Sequence, residues 1–188
     1  MTDEAIARNL GPLAPLAGIW EGDQGIDEAP SASRGMMQTS YRERMVFDPI
    51  GPVDNHEQIL HGLRYSTTAY PIGEEEPFHE ELGYWLWDGA EGQVMRCFLV
   101  PRGVTVLAGG DAGPEDRRFT LTAEVGSETY GISSNRFLDR EFKTVRYELA
   151  VTIEGADVFR YEEDTQLLLK DRSDVFHHRD SNTMHRVG

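Results

Sequence analysis

Two adjacent imidazoles, His177 and His178, stand in the segment Phe176-His177-His178-Arg179-Asp180-Ser181-Asn182-Thr183-Met184-His185-Arg186-Val187. Neutral imidazole is the usual protein ligand of haem iron. The run Asp174 to Val187 reads as a strand, and successive strand residues point to opposite faces. At most one of the pair therefore reaches an interior ligand, and the other meets solvent or another element.

The remaining titratable groups offer less. His56 and His61 lie five apart, which on a strand puts them on opposite faces and removes a joint metal site. His79-Glu80-Glu81 could hold a metal or exchange protons, but beside the acidic run Glu74-Glu75-Glu76 it reads as a solvated strand end. His185 shares parity with His177. Arg96, Arg146 and Arg160 are strand arginines, expected to face outward; one that turned inward would meet a carboxylate or propionate. Cys97 is the only cysteine, so no intramolecular disulfide forms, and it reads as a small core residue. Glycine-rich phosphate loops, nucleophile elbows and paired-cysteine zinc patterns are absent from the sequence.

The elements that must position these groups are strands. Gln38 to Phe47 alternates, with Tyr41, Glu43, Met45 and Phe47 on one face. Asp48-Pro49 and Gly51-Pro52 read as a turn. Further runs are Asn55 to Tyr70, Phe78 to Trp87, Val94 to Val100, Val104 to Ala108, Arg118 to Val125, Phe142 to Ile153 and Val158 to Lys170. A short helix is expected from Asp3 to Leu10 with Thr2 as its cap, and a further turn from Pro12 to Leu16. Close turns between regular strands favour an all-β fold: an antiparallel up-and-down barrel of about ten strands, lipocalin-like or fatty-acid-binding-protein-like, over a sandwich. The whole of 1–188 is expected to form this one domain, since 188 residues suffice for one real core.

The formal charge of −15 repels phosphate backbones and anionic membranes, so neither nucleic acid nor membrane is an expected partner. The opening MTDEAIARNL lacks the basic-then-apolar pattern of a signal peptide, and a cytoplasmic location is expected. The partner implied is a small molecule in the barrel cavity; self-association into a homodimer is left open.

Leu13 to Gly22, LAPLAGIWEG, carries a G-x-W-x-G pattern in Gly18, Trp20 and Gly22. A tryptophan there covers the closed end of a barrel, and the glycines let the strand bend around it. With FHEELGYW (78–85), FLVPRGVTVLAGG (98–110) and the ending with histidine and Thr-Met-x-Arg, the chain resembles the nitrobindin family of haem-binding β-barrels. The resemblance implies a b-type haem near one mouth, ligated by a last-strand histidine: His178 first, His177 second. It also implies nitric oxide binding, or isomerisation of peroxynitrite to nitrate at ferric haem. Gln24 stands where the family signature has its last glycine, and Arg179 stands where the family has its histidine. A bulge would restore the register. The alternative is a haem-free barrel of the same family that binds a fatty acid or another small apolar ligand.

Overall fold

The computed structural model describes residues 9–188. The helix expected from Asp3 falls almost wholly outside the described residues. A 3-10 helix, Gly11–Leu16, comes first. It is followed by β1 (Gly18–Pro30), β2 (Met36–Asp54), β3 (Ile59–Pro71), β4 (His79–Asp88), β5 (Gln93–Val100) and β6 (Val104–Asp111). Then come β7 (Arg118–Val125), β8 (Gly131–Ser134), α1 (Arg136–Glu141), β9 (Phe142–Ile153), β10 (Val158–Leu169) and β11 (Val175–Arg186). The strands close in the order β1-β11-β10-β9-β7-β8-β6-β5-β4-β3-β2.

The barrel thus has eleven strands where about ten were expected. The extra one is β8, only four residues long, which runs antiparallel to β6 and parallel to β7. It was hidden because so short a segment shows no alternation. The Asn135 side chain then accepts hydrogen bonds from the backbone N–H groups of Phe137 and Leu138 and starts α1. Gly51-Pro52 is not a turn. It is an irregularity inside β2, whose register with β3 slips between Ile50 and Val53. The turn comes later, where the Asp54 and Asn55 side chains accept from the N–H groups of His56, Glu57 and Gln58.

One end of the barrel is plugged. Leu10, Leu13 and Leu16 are fully buried beneath the 3-10 helix, and so is Trp20. The indole Nε1 of Trp20 donates to the Leu16 carbonyl at 2.7 Å, its ring meets Phe159 edge-on, and the Arg186 guanidinium lies 4.3 Å over it. Gly22 is required here, because a Cβ would sit 2.6 Å from the Thr183 carbonyl oxygen. Above this plug, Phe47, Tyr65, Trp85, Trp87, Phe98, Phe119 and Leu121 fill the lower half of the interior. The barrel closes through β1 and β11, where Trp20 pairs with Arg186 and Asp27 with Asp180, with a shift between Glu21 and Ile26. Among the described residues no helix is long and apolar enough to cross a membrane.

Trp20→Ala removes the centre of the plug and is expected to cost about 3–5 kcal/mol. Urea unfolding followed by tryptophan-independent circular dichroism measures it.

Candidate functional site

Toward the open mouth the interior changes character, from hydrocarbon to ionisable groups. On β11 the residues Phe176, His178, Asp180, Asn182 and Met184 face inward, as the alternation of burial shows. His178 is half-buried, with 32% of its side chain exposed, and its Nε2 donates to Asp27 Oδ1 at 2.7 Å. His177 faces outward, where its Nδ1 lies 2.7 Å from Asp164 Oδ2. His185 also lies on the outer face.

Strand pairing sets three carboxyl groups in a row. Asp180 is directly opposite Asp27 of β1 on one side and Glu163 of β10 on the other. Asp27 has His178. Glu163 accepts from Arg96 Nη1 at 2.8 Å and from the Tyr147 hydroxyl at 2.6 Å. Asp180 is half-buried as a residue, but its Oδ1 is shut from solvent and has no hydrogen-bond partner.

Arg96 projects inward from β5 and is 4% exposed, against the expectation that strand arginines face out. It donates to Glu163, Glu81, and the Tyr147 and Tyr65 hydroxyls. Its guanidinium also lies 4.4 Å over the Phe98 ring and 5.4 Å over that of Trp85. Glu81 accepts from Tyr65 at 2.7 Å and meets His79 Nε2 at 3.2 Å. His79-Glu80-Glu81 is therefore no solvated strand end: His79 is the outer member of the Arg96 network. Glu43, 6% exposed, accepts from Thr67 and Tyr161, both at 2.7 Å, and Tyr161 meets the Tyr41 hydroxyl at 2.8 Å.

The protonation of these groups follows from their surroundings. Burial works against the charge of Glu81, but the Arg96 guanidinium outweighs it, with help from His79 and Tyr65, and the carboxyl is lowered to about 2. Burial pushes Glu43 up. Burial pushes Asp180 well above the ordinary carboxylate range, and the charges of Glu163, Glu43 and Asp27 add to it. Burial disfavours the charge of His79, yet Glu81 wins and its pKa is raised.

Closer to the rim, Leu167, Leu169 and Phe176 pack with Phe142. Arg34 ties the rim together: its Nη1 donates to the Lys170 carbonyl at 2.7 Å and its Nη2 to Glu141 at 2.8 Å.

Sequence reasoning missed Asp27, Asp180 and Glu163 as interior groups, and it did not single out Arg96 among the three strand arginines of which one could turn inward to a carboxylate. Glu43 was legible, since it shares a face with Tyr41, Met45 and Phe47. Arg96 was not, because both faces of β5 are apolar around it. Cys97 is half-buried on the opposite face from Arg96 rather than in the core. Gly18 takes φ +123°, and a Cβ there would press on Arg186 and the Gly188 carbonyl, so the glycines of the G-x-W-x-G stretch serve the plug.

A family model described as THAP4-like, heme-binding beta-barrel domain matches residues 9–186. The crystal structure of Rv2717c from M. tuberculosis superposes with a TM-score of 0.69 at 21% sequence identity, over 96% of this chain and 98% of that one. At that identity the likeness speaks for the fold.

As placed in this structure, the His178 ring is not set to ligate an iron. An iron ligand must offer a nitrogen lone pair, and the outermost nitrogen of this ring carries the proton given to Asp27. The inward neighbours of His178 are polar on one side, Asp180, Asp27 and Thr165, and apolar on the other, where Phe176 packs with Leu167.

Arg96→Met leaves Glu81 and Glu163 buried without their cation and is expected to cost about 3–5 kcal/mol. Adding Glu81→Leu and Glu163→Leu should recover most of the loss, as urea unfolding of the two variants will show. A second outcome concerns pH. The pKa of Asp180 is raised on folding, so above its unfolded value near 3.8 unfolding releases a proton and stability falls as pH rises. Asp180→Asn removes this dependence. Its stability advantage over the wild type should be negligible below that pH and grow toward neutrality in thermal melts.

Proposed function

Because the chain belongs to the THAP4-like, heme-binding beta-barrel domain family, we propose that it keeps the family scaffold as a binding module and takes a small molecule at the mouth without haem. The observation that carries this is the hydrogen bond from His178 Nε2 to Asp27. It occupies the ring nitrogen best placed to reach a metal. The lower half of the barrel is filled with side chains, which leaves the mouth as the place for a ligand. A fatty acid suits this interior poorly. Its carboxylate would face Asp27, Asp180 and Glu163, and four N–H donors of Arg96 are already committed to the protein's own groups. A net charge of −15 suits a freely diffusing cytoplasmic carrier.

One observation favours a second reading. His178 faces inward on the last strand of a barrel whose family is described as haem-binding. On this reading the His178 ring turns over so that Nε2 leaves Asp27 and would hold a b-type haem, and the outward His177 would not. Ferric haem, if bound, would supply the iron chemistry for binding nitric oxide or for isomerising peroxynitrite to nitrate. Asp27 would then orient the ring by accepting from its other nitrogen, the usual partner of a metal-ligating histidine.

Hemin titration of the purified protein separates the two. We expect no Soret band that depends on His178, and native mass spectrometry of the protein as purified should show a bound small molecule that is not haem. A Soret band lost in His178→Ala and kept in His177→Ala would establish the haem reading instead.

A further inference from the structure

We propose that the hairpin joining β1 and β2 is a gate over the mouth, latched by Arg34, and that a small molecule reaches the interior only when the latch is undone. This rests on the reading of the barrel as a ligand-binding module and names how access to its mouth is controlled.

The wall of the barrel ends before this hairpin does. β1 pairs with β11 as far as Glu28, opposite Arg179. β2 pairs with β3 as far as Tyr41, opposite Pro71, and the Ser40 carbonyl accepts from Ile72 N–H just past that point. Beyond, the two strands run on with no third strand beside them. Ala29 lies opposite Met37 and Pro30 opposite Met36, and the tip closes where Ser31 N–H donates to the Gly35 carbonyl at 2.8 Å. A two-stranded ribbon is marginal by itself. Its methionines, Met36 and Met37, are exposed, so packing does little to hold it.

What holds the tip is an exchange of guanidiniums. Arg34 Nη1 donates to the Lys170 carbonyl at 2.7 Å and Nη2 to Glu141 Oε2 at 2.8 Å. In return Arg172 Nη1 donates to the Arg34 carbonyl at 2.8 Å. Lys170 and Arg172 lie in the turn between β10 and β11, and Glu141 ends α1 just ahead of β9. Between β1 and β9 stand β11 and β10, so the tip reaches past two strands to meet Glu141. Arg34 is there for its side chain. Its backbone takes φ +62°, a region that glycine enters freely and arginine does not. Glu141 is a fixed catch, since Arg140 and Lys170 also donate to its carboxylate, at 3.1 and 3.3 Å.

Beneath the latch lies the entrance. Leu167, Leu169 and Phe176 stand at the open end of the barrel, yet all three are buried. Arg34 lies 5.0 Å over the Phe142 ring that packs with them, and Arg172 5.7 Å over Phe176. The two guanidiniums thus roof an apolar entrance. The roof is releasable, because the Arg34 and Glu141 side chains keep 31% and 12% of their surface exposed and salt weakens such a pair. Among the described residues no other side chain of residues 29–39 bonds outside the hairpin. Undoing Arg34 therefore frees the ribbon, with its last wall pairs at Glu28 and Tyr41 as the hinge.

Cysteine accessibility in the full chain tests this. In a Cys97→Ser background, Leu167→Cys places the only thiol in the entrance, with Leu169→Cys as a second entrance position. Leu121→Cys, in a parallel series, places it in the lower core. N-ethylmaleimide, a small neutral molecule, reports how readily each thiol is reached. We expect the entrance thiols to react slowly with the latch intact and about tenfold faster with Arg34→Met, which keeps the stem and loses the charged donors. Glu141→Gln leaves the Lys170 carbonyl in place and should give a smaller rise. Added salt should speed the reaction with the latch intact and not in Arg34→Met. The rate at Leu121→Cys should stay as it was. Entrance thiols that react equally fast with and without Arg34, or a rise of the same factor at Leu121→Cys, overturn the gate. Native mass spectrometry reads the ligand separately. An empty barrel with a latch-dependent thiol removes the binding module and keeps the gate, and a bound molecule with a latch-independent thiol does the reverse.

Discussion

A single guanidinium organises the mouth half of this barrel. Arg96 stands in a space that also holds Glu81 and Glu163, and its fork reaches both while the Tyr65 and Tyr147 hydroxyls take further donors. In so enclosed a place each charge is tolerable only because the others are fixed at hydrogen-bond distance. Strands β3, β4, β5, β9 and β10 each contribute a member, so the network fixes their relative positions from within. The aromatic floor below, with Phe98, Tyr65 and Trp85 against the guanidinium, marks where packed hydrocarbon ends and polar chemistry begins.

Much of the fold could be read before any coordinates. The tryptophan between glycines in Gly18 to Gly22 does form the floor of a closed barrel, and the alternation Tyr41, Glu43, Met45, Phe47 is an inward face. β8 stayed hidden because four residues carry no period, and its position depends on what β6 and β7 leave unpaired. The site was less legible for a different reason. The row Asp27–Asp180–Glu163 joins Asp27 to two residues more than a hundred positions away, and its register follows a shift in β1 between Glu21 and Ile26. One residue of slip would have turned Asp180 to solvent and His177 inward. Pairing across a bulge is a property of the closed sheet, and no local pattern carries it.

Family membership and ligand are separate matters in such a barrel. The scaffold is defined by the plug, the seam and the lower core, and these could persist while the few inward side chains near the mouth are exchanged. Here those side chains are carboxyl groups, tyrosines and an imidazole already engaged. A lining of that kind selects by charge and hydrogen bonding more than by area, because a buried acceptor left unmatched penalises the wrong ligand more than added apolar contact rewards the right one.

The seam between β1 and β11 has a consequence for how the protein comes into being. Every other neighbouring pair in the wall joins strands closer together in sequence, but this one joins the first strand to the last, and it carries Asp27 against Asp180 and His178. During synthesis the sheet can grow hairpin by hairpin, while its two free edges stay open until β11 has emerged. Closing a loop of that length is an entropic cost met only at the final step. The nascent sheet therefore exposes two pairing edges to the crowded surroundings of the ribosome, and the mouth acquires its chemistry in the same event that removes them.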